Sequence, residues 1–251
     1  MFYDLSGGLL IPLFGTTAGS SCVFFMKNGK MNREVQCALS CIAAGIMTAA
    51  SVWSLLIPSY EMASQGKMHP VILPNIGFWS GVIFVLAVDA LSRRLKRTAQ
   101  NPLFLTAFTV ALHNLPEGMA VGAVYAGLFS EDPTVSAAEA LALSIGIACQ
   151  NFPEGAIISV PLYSSGKSRF KSFILGFLSG VVEPVGTLLT LSLSRMIIPA
   201  LPWFLSFAAG AMIYVVTEEL IPMKSIFRQN GKGAMFFSIG FCIMMSLDMA
   251  L

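Results

Sequence analysis

Charge is what this sequence has least of. Of its 251 residues only 11% are Asp, Glu, Lys or Arg, whereas 55% are apolar, and the mean hydropathy is +0.75. Soluble domains carry about twice that share of charge. A water-soluble fold of this length cannot hide so much apolar surface, which excludes a soluble enzyme and a nucleic-acid binder. Cysteine is sparse and unpaired in pattern: Cys22, Cys37, Cys41, Cys149 and Cys242 form no CxxC and fall in or beside apolar runs. They read as buried free thiols, and a disulfide framework is not expected. Residues 1–10 contain no Lys or Arg, so the first apolar run reads as an uncleaved span and not as a signal peptide. There is no low-complexity tract, no GxxxxGK[ST] phosphate loop and no HExxH zinc-protease motif.

What is present is a set of eight apolar stretches, approximately residues 4–26, 35–58, 71–91, 102–128, 136–162, 172–194, 199–222 and 233–251. Each is long enough to cross about 30 Å of hydrocarbon. Lipid leaves no partner for an open strand edge, so the expected fold is all-α: one polytopic membrane domain over residues 1–251. The basic residues set its orientation. Lys27, Lys30 and Arg33 lie between spans one and two, and Arg93, Arg94, Lys96 and Arg97 between three and four. Lys167, Arg169 and Lys171 lie between five and six, and Lys224, Arg228 and Lys232 between seven and eight. Only Lys67 and Arg195 fall on the other side. The positive-inside rule makes the crowded side cytoplasmic and both termini extracytoplasmic. Asp4, Glu61, Glu131, Asp132, Glu139 and Asp248 then gather at the outer face. A negative face draws cations, although ordinary solvated loops carry such acids too.

Six acids remain within spans: Asp89, Glu117, Glu154, Glu183, Glu218 and Glu219. An ionised carboxylate at mid-bilayer costs roughly 3 kcal/mol on insertion scales, and such groups turn toward a cavity, a partner or a bound cation. Glu117, Glu154 and Glu183 sit near the middle of spans four, five and six. Two of them belong to a repeated motif. Span four reads His113-Asn114-Leu115-Pro116-Glu117-Gly118, and span five reads Gln150-Asn151-Phe152-Pro153-Glu154-Gly155. Two copies on antiparallel neighbours imply a pseudo-two-fold axis in the membrane plane, an arrangement found in many secondary transporters with the site at its centre.

The spacing suits a metal. His113 and Glu117 are four residues apart, hence on one helix face, as are Gln150 and Glu154. Each proline lacks an N–H and disturbs the turn before it, releasing carbonyls at Leu112 and Cys149. Gly118 and Gly155 permit close helix approach. Imidazole with carboxylate and amide oxygens fits a divalent first-row ion, and two glutamates between the helices are placed to bridge a pair. Glu183, followed by Pro184, reads as a further ligand or a proton carrier. Ser54 is a weaker candidate, since a span serine more often bonds back to its own helix. Asp89, Glu218 and Glu219 either line an exit or pair with the basic loops. His69, before Pro70, reads as an ordinary loop residue.

In these features the chain resembles the ZIP (zinc-iron permease) family of divalent metal transporters, particularly its short bacterial members. The twin motifs carry the likeness. Ala43-Ala44-Gly45-Ile46-Met47-Thr48-Ala49-Ala50-Ser51, Val182-Glu183-Pro184-Val185-Gly186 and Glu218-Glu219-Leu220-Ile221-Pro222 support it. The resemblance implies a two-metal centre at mid-membrane, with His113, Asn114, Glu117, Gln150, Asn151, Glu154 and Glu183 as ligands. It implies a 3+2+3 helix arrangement with spans one to three and six to eight as inverted halves, a homodimer, and transport toward the cytoplasm. Gln150 stands where many members have His, which lowers the nitrogen count. The loop between spans three and four has no His and so lacks a metal-sensing tract.

The expected activity is therefore carriage of Zn²⁺, or of Fe²⁺, Mn²⁺ or Cd²⁺, across a cell membrane by alternating access. The metal is the transported substrate, and no resident cofactor or enzymatic activity is expected. Ser54, Asp248, Asp89, Glu218 and Glu219 are the candidate pathway residues beyond the centre. The alternatives are an intramembrane metalloprotease and a metal receptor that binds without moving its ion.

Overall fold

The computed structural model describes residues 2–26, 32–65, 69–98, 102–130, 135–221 and 231–250, and all regular structure among them is helical. Helix α1 covers Phe2–Phe25. The second crossing is α2 (Arg33–Ala50), which passes through a π-helical segment, Ser51–Leu56, into α3 (Ile57–Gln65). Then come α4 (Ile72–Thr98), α5 (Pro102–Leu128), α6 (Ala137–Ser164) and α7 (Arg169–Ser192). A short α8 (Ser194–Ile197) leads into α9 (Leu201–Val215), which also ends in a π-helical segment, Val216–Leu220. Helix α10 covers Lys232–Ala250. Among the described residues seven helical segments are long and apolar enough to cross a membrane. The remaining long helix, α5, has 27 residues, about 40 Å at 1.5 Å per residue.

Local chemistry starts several of these helices where the apolar runs begin. Asn32 caps α2 by accepting the Glu34 N–H at 2.9 Å. Ser136 and Glu139 cap α6 reciprocally, each side chain accepting the other's backbone N–H. Ser168 caps α7 through the Lys171 N–H. The sequence boundary expected at Pro58 is passed, and the helix continues to Gln65. A proline ring crowds the carbonyl one turn earlier. The wider π turn at Ser51–Leu56 stands directly before it. Helix α4 likewise runs beyond residue 91 to Thr98, because backbone hydrogen bonds stay satisfied after the apolar run has ended.

Packing is organised in pairs. Helix α1 lies against α6 and α7, α5 against α7, α2 against α10, and α4 against α9. Lipid supplies no hydrophobic force between helices, so close approach depends on small residues. The α2–α10 and α4–α9 pairs use the same device. Gly45 abuts the Phe237 carbonyl and Gly240 the Ile42 carbonyl. In the other pair, Gly210 abuts the Phe78 carbonyl and Gly81 the Phe207 carbonyl. Met47, Leu143, Ile147, Leu205, Met212 and Met244 fill the interior between the pairs, while Phe14, Trp79, Ile83 and Met235 project from the bundle.

The expectation that all five thiols are buried is corrected. Of the five free cysteines only Cys37 and Cys41 are buried, and Cys149 and Cys242 are exposed. A thiol is apolar enough to face lipid, so an apolar neighbourhood in sequence does not imply burial. Lys27, Lys30, Lys67, Glu131, Asp132, Lys224 and Arg228, and the side chains of Asp4, Lys96, Arg97 and Glu219, lie outside the described residues. His69 sits in the turn before α4, where its ring accepts the Val71 N–H at 3.4 Å.

Candidate metal centre

The twin motifs fall inside unbroken helices, with Pro116 in α5 and Pro153 in α6. Gly118 and Gly155, each following a motif glutamate, do what the sequence asks of them. A Cβ at Gly118 would overlap the Glu183 carbonyl oxygen of α7, and one at Gly155 would overlap the Thr16 carbonyl oxygen of α1. Each motif glutamate thereby sits beside a close helix–helix contact.

The seven residues expected at the centre come together. His113, Asn114, Glu117 and Glu154 line one cavity of about 40 Å³ together with Val110, Ile157, Ile158, Val215 and Leu220. That is room for an ion or a few waters. Glu117 is 3% exposed and Glu154 7%. Gln150, fully buried, lies beside the Glu117 carboxylate. Glu183 closes the group from α7. Its Oε1 accepts from Asn114 Nδ2 at 3.2 Å, and its Oε2 from Asn151 Nδ2 at 2.6 Å. The Glu117 and Glu183 charges lie close enough to repel.

This polar cluster is incompletely satisfied. Glu117 Oε2, Gln150 Oε1 and Asn151 Oδ1 are buried without a hydrogen-bond partner. Such orphaned acceptors cost about 1–3 kcal/mol each, more when charged, and an arriving cation would satisfy them. Among the described residues no three His, Cys, Asp or Glu side chains form a metal-holding group by themselves. The coordinating capacity therefore rests jointly on carboxylates, one imidazole and the amides.

One contributor was missing from the sequence reading. Thr16 of α1, fully buried, donates its hydroxyl to Glu183 Oε1 at 3.3 Å. Its only sequence signal is a hydroxyl in an apolar span.

The outlying candidates separate into two places. Ser54 does not bond back to its own helix, as its residue type favours; it donates to Asp248 Oδ1 of α10 at 2.8 Å. Both line a second cavity of about 400 Å³ with Trp53, Glu61, Glu139 and Leu205. Along α6 the path from that cavity to the centre steps one turn at a time from Glu139 and Leu143 to the fully buried Ile147, then to Gln150 and Glu154. Val124 and the buried Val121 do the same on α5. An apolar layer thus separates the large cavity from the centre. At the other end, Asp89 pairs with Arg93 one turn on and accepts the Tyr214 hydroxyl of α9 at 3.1 Å. Pairing with a basic residue, one of its two expected roles, is what its carboxylate does. Glu218 is exposed on the π-helical turn after α9, near Tyr214.

A family model described as ZIP Zinc transporter matches residues 98–248. Zinc transporter ZIP11 of Xenopus tropicalis is 32% identical, over 97% of this chain and 96% of its own length. Zinc transporter GufA of Myxococcus xanthus is 32% identical, over 98% of this chain and all of its own. Zinc transporter ZIPB of Bordetella bronchiseptica is 32% identical, over 88% and 73%. The membrane-length helices, the twin motifs and these relatives lead to one conclusion: the chain is a multi-pass membrane protein and belongs to the ZIP family of zinc transporters.

Proposed function

We propose that this chain carries divalent cations, Zn²⁺ first among them, toward the cytoplasm by alternating access, through a centre held between α5 and α6. The observation that carries the proposal is the meeting of Glu117 and Glu154, from two copies of one motif, in a single buried cavity. A dication exchanges its waters for His113, Glu117, Gln150 and Glu154. A second ion position lies toward Asn114, Asn151 and Glu183. Fe²⁺, Mn²⁺ and Cd²⁺ suit the same oxygen-rich donors in part, since ligand type alone does not set selectivity.

Two inverted halves, spans one to three and six to eight around α5 and α6, account for the paired contacts. The Gly45–Phe237 and Gly240–Ile42 contacts of α2 with α10 recur as Gly210–Phe78 and Gly81–Phe207 in α9 with α4. A constant shift in residue number on each helix relates them. The same relation sets Asp248 against Asp89. The two cavities support alternating access: one is walled off by Ile147 and Val121, and the other reaches the centre from the end carrying Val215 and Leu220. With thirteen of fifteen basic residues at that latter end of the sequence topology, it is read as cytoplasmic. The ion enters past Glu61, Glu139, Ser54 and Asp248 and leaves past Glu218 and Glu219.

No nucleotide-binding motif is present to drive the step. A dication moving inward across 100 mV gains about 4.6 kcal/mol, from about 2.3 per charge, equivalent to about a 2,000-fold accumulation ratio. Proteoliposome uptake of Zn²⁺, Fe²⁺, Mn²⁺ and Cd²⁺ in parallel, with internal pH recorded, tests this. An inside-negative potential is expected to speed Zn²⁺ uptake and a reversed potential to slow it. Uptake indifferent to potential but accompanied by proton release would replace charge-driven entry with exchange. Binding without flux would make the protein a receptor and end the transporter reading.

A further inference from the structure

The packing around Glu183 has a mirror in the other half of the molecule. Gly155 lies against the Thr16 carbonyl, as Gly118 lies against the Glu183 carbonyl. Gly19 meets the Phe152 carbonyl, as Gly186 meets the Leu115 carbonyl. The Ser20 hydroxyl donates to the Gly155 carbonyl at 3.4 Å, and the Thr187 hydroxyl donates to the Gly118 carbonyl at 2.9 Å. One shift in residue number takes Thr16 to Glu183, Gly19 to Gly186 and Ser20 to Thr187. The motif spacing takes the α6 partners to those on α5. Thr16 is thus the counterpart of Glu183, and the two counterparts touch: Thr16 Oγ1 donates to Glu183 Oε1 at 3.3 Å.

This contact decides how the carboxylate is used. Each carboxylate oxygen offers about two lone-pair positions. Oε1 receives Thr16 and Asn114, so it is fully engaged; Oε2 receives Asn151 alone. The Asn151 amide, turned by its bond to Oε2, leaves its own Oδ1 buried and unpartnered. We propose that Thr16 is a positioning residue of the transport centre: its hydroxyl occupies Glu183 Oε1, so that only Oε2 and the asparagine amide oxygens are offered to the dication. This rests on Glu183 belonging to the centre, as proposed above. Without the hydroxyl, Oε1 is free to coordinate, the ion is held more tightly, and its release slows.

The test uses full-length protein in proteoliposomes and Zn²⁺ uptake kinetics for Thr16→Val, which keeps the shape and removes the donor, and Thr16→Ser, which restores it. Removing one hydrogen bond to a carboxylate corresponds to a several-fold or larger change in affinity. Thr16→Val is expected to lower KM and maximal rate together, each by about threefold or more, and Thr16→Ser to stay within about twofold of the unmodified protein. A KM in Thr16→Val that is unchanged or raised overturns the proposal, as does a Thr16→Ser variant altered as much as Thr16→Val. The Glu117→Ala, Glu154→Ala double variant is run alongside. If it is inactive while Thr16→Val is normal, only the positioning role falls. If it transports normally, the metal centre falls and the positioning role with it.

Discussion

Proteoliposomes carrying the Glu117→Ala, Glu154→Ala double variant are expected to take up Zn²⁺ at about one hundredth of the unmodified rate or less. Losing even an outer-shell partner of a metal ligand typically costs about 10–100-fold, and this change removes two carboxylates from the cavity itself. The loss should not come from misfolding. Both glutamates are buried in a low-dielectric interior, and Glu117 keeps an unpartnered oxygen. Deleting them takes two desolvated carboxylates out of that interior. Thermal unfolding in detergent should therefore be unchanged or shifted upward. A variant that melts early and is inactive would place the two glutamates in the scaffold instead of the transport path.

The second large effect concerns the glycines that set the helix spacing. Gly118→Val and Gly155→Val are expected to prevent assembly of a monodisperse protein, or to lower its unfolding midpoint sharply. The added Cβ at either position meets a backbone carbonyl on a neighbouring helix, and backbone cannot swing aside as a side chain can. Overpacking of a close interface costs about 1–3 kcal/mol where neighbours yield, and here the neighbour is α7 or α1 itself. Gly7→Ala is the control. Its Cβ would find only the Tyr125 hydroxyl at 3.6 Å and Ile11 at 3.7 Å, ordinary contact distances, so its midpoint should barely move. Equal behaviour of Gly118→Val and Gly7→Ala would contradict the close-packed geometry of the centre.

Much of this molecule was legible in the sequence because the bilayer imposes simple rules. Length and apolarity mark the crossings, and the cost of an intramembrane carboxylate singles out Glu117, Glu154 and Glu183. What was not legible is which way a polar side chain points. Thr16 and Thr17 are adjacent, yet Thr17 bonds back to the Leu13 carbonyl at 2.7 Å while Thr16 reaches across to Glu183. Ser51 bonds back to Met47, whereas Ser54 reaches Asp248. In water, hydrophobic periodicity separates an inner face from an outer one. In lipid both faces are apolar, so that signal vanishes, which is also why exposed Cys149 and Cys242 looked no different from buried Cys37 and Cys41. Asp89 illustrates the middle case. Its partner Arg93 sits at the spacing of helix neighbours, but the Tyr214 hydroxyl comes from α9 and depends on tertiary packing.

On the proposed function, α5 and α6 hold a dication between their two motif glutamates. X-ray absorption at the zinc edge, on detergent-purified protein loaded with one equivalent of Zn²⁺, addresses it most directly. The first shell is expected to hold oxygen and nitrogen only, at about 2.0–2.2 Å, and to disappear in the Glu117→Ala, Glu154→Ala variant. A sulfur shell at about 2.3 Å, or an oxygen and nitrogen shell that survives in that variant, would put the ion elsewhere and contradict the proposal.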